Sequence, residues 1–61
     1  MKVGDLVNYP PEERLGIIVD FETLYDRFGE PVDRLAIVSW QGGDSVESEY
    51  PDMLVVVSES R

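Results

Sequence analysis

Carboxylates are the most numerous groups in this chain that could take part in chemistry. Thirteen Asp and Glu residues stand against five Lys and Arg residues, for a net charge of −8, and the 61 residues include no His and no Cys. Without His, the chain lacks the commonest general base and transition-metal ligand. Without Cys, it can form no cysteine nucleophile, no thiolate zinc site and no disulfide. We expect a non-enzyme without cofactor or bound transition metal.

One group of acids surrounds the run at residues 45–50. Glu47 and Glu49 alternate along it, with Asp44 and Asp52 nearby. Hard cations prefer clustered carboxylates, but no loop here has the ligand spacing of a calcium site. Alternating acids are more typical of a solvated strand face, which also protects a sheet edge from unwanted pairing. The pattern favours a solvated face over a metal site.

A second group lies in the connection at residues 24–33 and just after it. Asp26, Glu30 and Asp33 lie there together with Arg27 and Arg34. Paired carboxylates serve glycosidases, but those enzymes also need a deep cleft, for which so short a chain has little room. We expect surface ion pairs, each of small energetic value.

Two aromatic residues, Trp40 and Tyr50, could stack a ligand or enclose a cation. The alternative is that Trp40 packs in the core with its polar edge near the surface. Because Trp40 continues the inward-facing set of its strand, the core interpretation is favoured.

The elements that would position these residues are short strands. Five runs rich in Val, Ile and Leu are separated by turn residues, at 3–9, 15–23, 34–40, 45–50 and 54–58. Such spacing predicts an all-β chain. The turn signals are Gly4-Asp5, Pro10-Pro11, the tight hairpin at Gly42-Gly43 and a 3₁₀ turn at Pro51-Asp52-Met53. At 43% hydrophobic residues, the composition is that of a folded domain.

Period-two alternation predicts which side chains form the core. In the second run, it places Leu15, Ile17, Val19 and Phe21 inside, and Gly16 and Ile18 outside with the acids. The full set expected to be mostly buried is Leu15, Ile17, Val19, Phe21, Ala36, Val38, Trp40, Leu54 and Val56.

The connection at residues 24–33 is the longest in the chain. Leu24, Tyr25 and Phe28 have near-helical spacing, and Gly29 and Pro31 limit any helix to about one turn. Loops often carry function and aromatic residues often anchor interfaces, so a partner-binding surface is one interpretation. The other is that the loop folds back and plugs one end of the molecule. The candidate partner-binding residues are Leu24, Tyr25, Phe28, Trp40 and Tyr50.

The order of the motifs resembles the SH3-like barrels of the KOW and Tudor type. The carrying segments are Val3-Gly4-Asp5-Leu6-Val7, Leu15-Gly16-Ile17-Ile18-Val19, Val38-Ser39-Trp40 with Gly42-Gly43, and Tyr50-Pro51-Asp52-Met53-Leu54-Val55-Val56-Val57. The same order is similar to that of short proteins of tailed bacteriophages, cyanophages among them. The resemblance implies one small five-stranded barrel over residues 1–61, with a 3₁₀ turn before the last strand. The basic loops of RNA-binding KOW modules are missing.

These observations favour a small acidic protein-binding module, a phage accessory or host-directed protein, with a protein as its partner. Two alternatives stay open: an acidic mimic of nucleic acid that blocks a basic host protein, and a structural decoration protein of the virion. Direct binding to nucleic acid is not expected from so acidic a chain. The apolar runs are too short to span a bilayer, and no signal peptide is recognised. We expect the cytoplasm, the host's if the protein is phage-encoded, or the virion.

Overall fold

The computed structural model describes residues 1–43 and 45–58, and they form five strands and one 3₁₀ turn. In chain order these are β1 (Leu6–Tyr9), β2 (Arg14–Tyr25), β3 (Pro31–Trp40), β4 (Val46–Glu49), the 3₁₀ turn (Pro51–Met53) and β5 (Val55–Ser58). The predicted all-β class, strand number and 3₁₀ turn before the last strand are confirmed.

The strands make one antiparallel sheet in the order β4-β3-β2-β1-β5. The edge strands are therefore β4 and β5, and within the described residues no pairing joins them. The sheet is open, so it is barrel-like only loosely.

The central hairpin is longer than the strands that flank it. β1 pairs with β2 only as far as Ile17, and β4 pairs with β3 only from Ala36 onward. Beyond these points, β2 and β3 pair with each other up to Tyr25 and Pro31. We call this two-stranded extension, residues 22–35, the arm. An isolated two-stranded ribbon is marginally stable, so the arm depends on the sheet behind it.

The turn before β1 has the form that its sequence predicts. Gly4 has a φ of +95°, and its N–H donates to the carbonyl of Ile18 over 2.8 Å. Asp5 is buried, and its Oδ2 accepts the Lys2 backbone N–H over 2.9 Å. The Asp5 carbonyl in turn accepts the Ile18 N–H over 3.0 Å. The Gly4-Asp5 pair therefore fastens the N-terminal turn to the middle of β2.

The predicted core is confirmed on β3 and before β5. Ala36, Val38, Trp40 and Leu54 are buried, and Val56 and Phe21 pack against them partly buried. The buried hydrophobic set is Val7, Ile18, Ala36, Val38, Trp40 and Leu54.

On β2 the predicted inward face is wrong. Leu15, Ile17 and Val19 are exposed, whereas Gly16 and Ile18 are buried. The cause is a bulge at Val19, because Ile18 pairs with Val38 while Asp20 pairs with Ile37. An extra residue in one strand reverses the alternation beyond it, so Phe21 belongs with Ile18 and not with Ile17.

The missing side chain of Gly16 leaves room on the core face of β2 for side chains of the neighbouring strand β3. It pairs with Trp40, and a Cβ added to Gly16 would lie 2.5 Å from Val38 Cγ1 and 2.8 Å from Trp40 Cε3. The side chains of β3 occupy the space that Gly16 leaves empty. A glycine in the inward set gives no hydrophobic signal, so Gly16 and the bulge at Val19 together made the alternation pattern favour the opposite face.

Candidate interaction surface

The end of the arm is a short turn organised by Asp26. β2 continues to Tyr25 and β3 starts at Pro31, so the predicted ten-residue connection with a helical turn is wrong. The Asp26 Oδ1 accepts the N–H of Phe28 over 2.8 Å and that of Glu30 over 3.0 Å. An Asp side chain that bonds the backbone ahead of it fixes a tight turn without a helix. The turn thus ties Phe28 to the strand ends.

The aromatic side chains of the arm face solvent. Tyr25 is 63% exposed and Phe28 is 78% exposed, and Val32 beside them is exposed too. Leu24 is half-buried. The interpretation of this segment as a plug is therefore wrong. The guanidinium carbon of Arg27 lies 5.3 Å from the centre of the Phe28 ring, which leaves the other side of that ring open to a partner.

Trp40 lies in the core, as the favoured interpretation predicted, and is only 3% exposed. Tyr9 packs edge-on against it, with ring centres 6.1 Å apart. The guanidinium carbon of Arg14 lies 4.8 Å from the centre of the Trp40 ring, and Arg14 also pairs with Glu12 and Glu47 at 3.5 Å. The protein's own arginine thus covers the tryptophan.

The five sequence-predicted binding residues do not form one surface. Leu24, Tyr25 and Phe28 share the arm, whereas Trp40 is buried in the body of the sheet. Tyr50 is exposed just before the 3₁₀ turn. In the described part of the chain, the ring next to Trp40 is that of Tyr9 and not of Tyr50. The arm residues are therefore the part of the predicted site that the fold brings together.

The acidic groups do not build a cation site in the part of the chain that the structure describes, where no cluster of three candidate ligands occurs. Register places Glu47 opposite Val38 and Glu49 opposite Ala36, on the core side of edge strand β4. Glu47 is nevertheless exposed to solvent and pairs with Arg14. The two acids therefore do not lie on the face of the sheet opposite the core. Asp44, the other predicted member, lies outside the described residues.

The ion pairs predicted for residues 26–34 are not formed among the described residues. Asp33 Oδ1 accepts the N–H of Arg34 over 2.8 Å, which is a backbone contact. The Arg34 guanidinium carbon lies 3.8 Å from the centre of the Phe21 ring. The arginines of this segment thus lie over aromatic rings, and its two aspartates accept backbone N–H groups.

A second exposed surface was missed at the level of sequence. It is a groove of about 440 Å³, and register places four of its lining residues, Leu6, Leu15, Ile17 and Ser39, on the face opposite the core. Its lining residues are Leu6, Leu15, Gly16, Ile17, Ser39, Trp40 and Gln41. Ile17 is 48% exposed at this groove. The bulge at Val19 was the hidden feature, because it turns the predicted core set of β2 outward.

Within residues 1–43 and 45–58, no helix has the length and apolar character needed to cross a membrane. Comparison of the chain with protein-family models, curated proteins and solved structures finds no match.

Proposed function

We propose that this chain is a small protein-binding module that presents the exposed aromatic residues of its arm to a protein partner. The observation that carries the proposal is the exposure of Tyr25 and Phe28 at the end of a ribbon that extends beyond the rest of the sheet. A small domain gains stability from every aromatic ring that it buries. Two rings left in water at one tip therefore support a role in binding.

The construction of the arm supports the same role. The Asp26 side chain holds the turn through two backbone hydrogen bonds, so Phe28 is presented from a defined turn. Pre-organised contact residues lower the ordering cost of association. Aromatic side chains are also the usual anchors of protein interfaces.

Affinity capture with matched variants tests this proposal. The tagged chain is incubated with lysate of its source organism, or of the host if a phage encodes it, and the bound proteins are compared with those of Tyr25→Ser/Phe28→Ser. A Tyr50→Ser variant is the control, because it removes an exposed aromatic ring away from the arm. We expect a protein that is captured by the wild-type chain and the control and lost with the arm variant.

The proposal fails if the arm variant captures the same proteins as the wild-type chain. The identity of a specifically captured protein decides between the forms of the proposal. A basic nucleic-acid-binding protein supports the acidic mimic, a capsid or tail protein supports virion decoration, and any other host protein supports an accessory role.

A further inference from the structure

The sheet has two faces of different character. Residues directly opposite in an antiparallel pair lie on the same face. The outer face is defined here as the face opposite the core, and its register positions run along the four strands β1 to β4. They are Leu6, Asn8, Leu15, Ile17, Asp20, Glu22, Leu24, Asp33, Leu35, Ile37, Ser39, Val46 and Ser48.

One end of the outer face is apolar. Register aligns Leu6, Ile17, Ser39 and Val46 in a row across the four strands. The first three of these residues line the groove of about 440 Å³. Ile17 and Val46 are exposed in it, and Leu15 follows on the neighbouring row. Exposed contiguous apolar surface of this kind commonly marks an interaction site.

The other end of the outer face is acidic. Asp20 pairs with Ile37, Glu22 pairs with Leu35, and Asp33 lies farther along the arm. None of the outer-face positions carries Lys or Arg.

The described basic residues lie elsewhere. Arg14 covers Trp40 and Arg34 covers Phe21, both on the core side of the sheet. Arg27 lies against Phe28 at the tip of the arm, and Lys2 is in the N-terminal turn. Among the residues that the structure describes, the carboxylates of the outer face therefore have no cation beside them on that face.

We propose that the outer face binds an extended segment of a partner protein that carries apolar side chains and, farther along, Lys or Arg. This inference rests on the proposed protein-binding function and adds the chemical class of the partner. Charge complementarity selects this occupant, because the apolar end offers contact area and the acidic end attracts only cations. A second copy fits poorly, since each chain carries a net charge of −8 and the outer face has no base to pair with its acids.

Strand geometry gives the spacing of the partner's residues. Because of the bulge at Val19, Asp20 and Glu22 pair with positions on β3 that lie two and four residues from Ser39, the partner of Ile17. At about 3.3 Å per residue, the acids therefore begin roughly 7–13 Å from the apolar row. In an extended partner, basic residues are expected about two to four positions from the apolar anchor.

Panning a displayed random-peptide library on the immobilised full-length chain tests the inference. The enriched peptides are then titrated against the wild-type chain and its variants by fluorescence anisotropy. We expect enrichment of peptides that combine an apolar anchor with Lys or Arg, and binding that weakens with added salt. Ile17→Ser should weaken binding about tenfold, because the variant removes apolar contact area.

A pair of charge variants isolates the electrostatic part. Asp20→Asn/Glu22→Gln should weaken binding about 2- to 25-fold, at about 1.4- to 5-fold per exposed ion pair. The control Glu13→Gln/Asp52→Asn removes the same charge from turns outside the outer face and should change binding little.

Three results would overturn the inference: no enriched peptide, enriched peptides without basic residues, or equal effects of the two charge variants. Peptides that lose binding with Tyr25→Ser/Phe28→Ser but not with Ile17→Ser would also overturn it while leaving the proposed function intact. Failure of the proposed function itself is recognised separately, by capture from lysate that is unchanged in the arm variant.

Discussion

Replacing Gly16 by alanine is expected to destabilise the sheet, because β3 already fills the space that the methyl group needs. The added Cβ would lie 2.5 Å from Val38 Cγ1, 2.8 Å from Trp40 Cε3 and 3.0 Å from the Ser39 carbonyl oxygen. The best separation of two carbon atoms is about 3.5–4.0 Å. Both side chains are buried and one neighbour is backbone, so neither strand can simply move aside.

The size of the effect follows from two opposing terms. Overpacking of a core costs about 1–3 kcal/mol. Alanine also restricts the unfolded chain, which returns about 0.4–1 kcal/mol. The net loss in the free energy of unfolding is therefore about 0.5–2 kcal/mol, and it should lower Tm by about 2–16 °C in a domain of this size.

Thermal unfolding followed by circular dichroism and by Trp40 fluorescence measures this loss. Gly43→Ala is the matched control, because the nearest atom to its added Cβ is the Trp40 carbonyl oxygen at 3.4 Å. Its Tm should stay unchanged or rise by a few degrees. A Gly16→Ala variant at least as stable as Gly43→Ala would refute the close contact between Gly16 and the side chains of Val38 and Trp40 on β3.

Three further predictions follow from the core, the N-terminal turn and the charge. Ile18→Ala should lower the free energy of unfolding in urea by about 2–5 kcal/mol, whereas Ile17→Ala should lower it by about 1 kcal/mol or less. A larger loss from Ile17→Ala would instead support the alternation pattern, which places Ile17 inside. Asp5→Ala removes the acceptor of the Lys2 N–H and should lower stability by about 1–3 kcal/mol, and an unchanged Tm would contradict that role. Binding to a random DNA or RNA oligonucleotide should be negligible at physiological salt, and tight, salt-sensitive binding in a fluorescence titration would show this expectation to be wrong.

Strand number and turn positions could be predicted because their signals are local. Gly42, with a φ of +80°, and Pro51 at the start of the 3₁₀ turn mark their turns by conformational preference alone. The alternation on β3 identified Val38 and Trp40 correctly, because its inward residues keep an unbroken period of two as far as Ala36.

The face of β2 could not be predicted, because three consecutive apolar residues, Ile17, Ile18 and Val19, satisfy either choice. The bulge at Val19 is a property of pairing with β3, so it leaves no mark on β2 alone. The binding residues were predicted in part for a similar reason. Local composition placed Tyr25 and Phe28 together, while the outer face arises only when four strands align.

Site-specific photo-crosslinking tests the central claim, that the arm contacts a protein partner, most directly. A photoreactive phenylalanine analogue replaces Phe28, which is 78% exposed at the tip, and in a second protein it replaces exposed Asp52 in the 3₁₀ turn. Both are irradiated in the lysate used for capture. We predict a discrete crosslinked protein from position 28 that is missing from position 52. Equal crosslinking from both positions, or none from position 28, would contradict the claim.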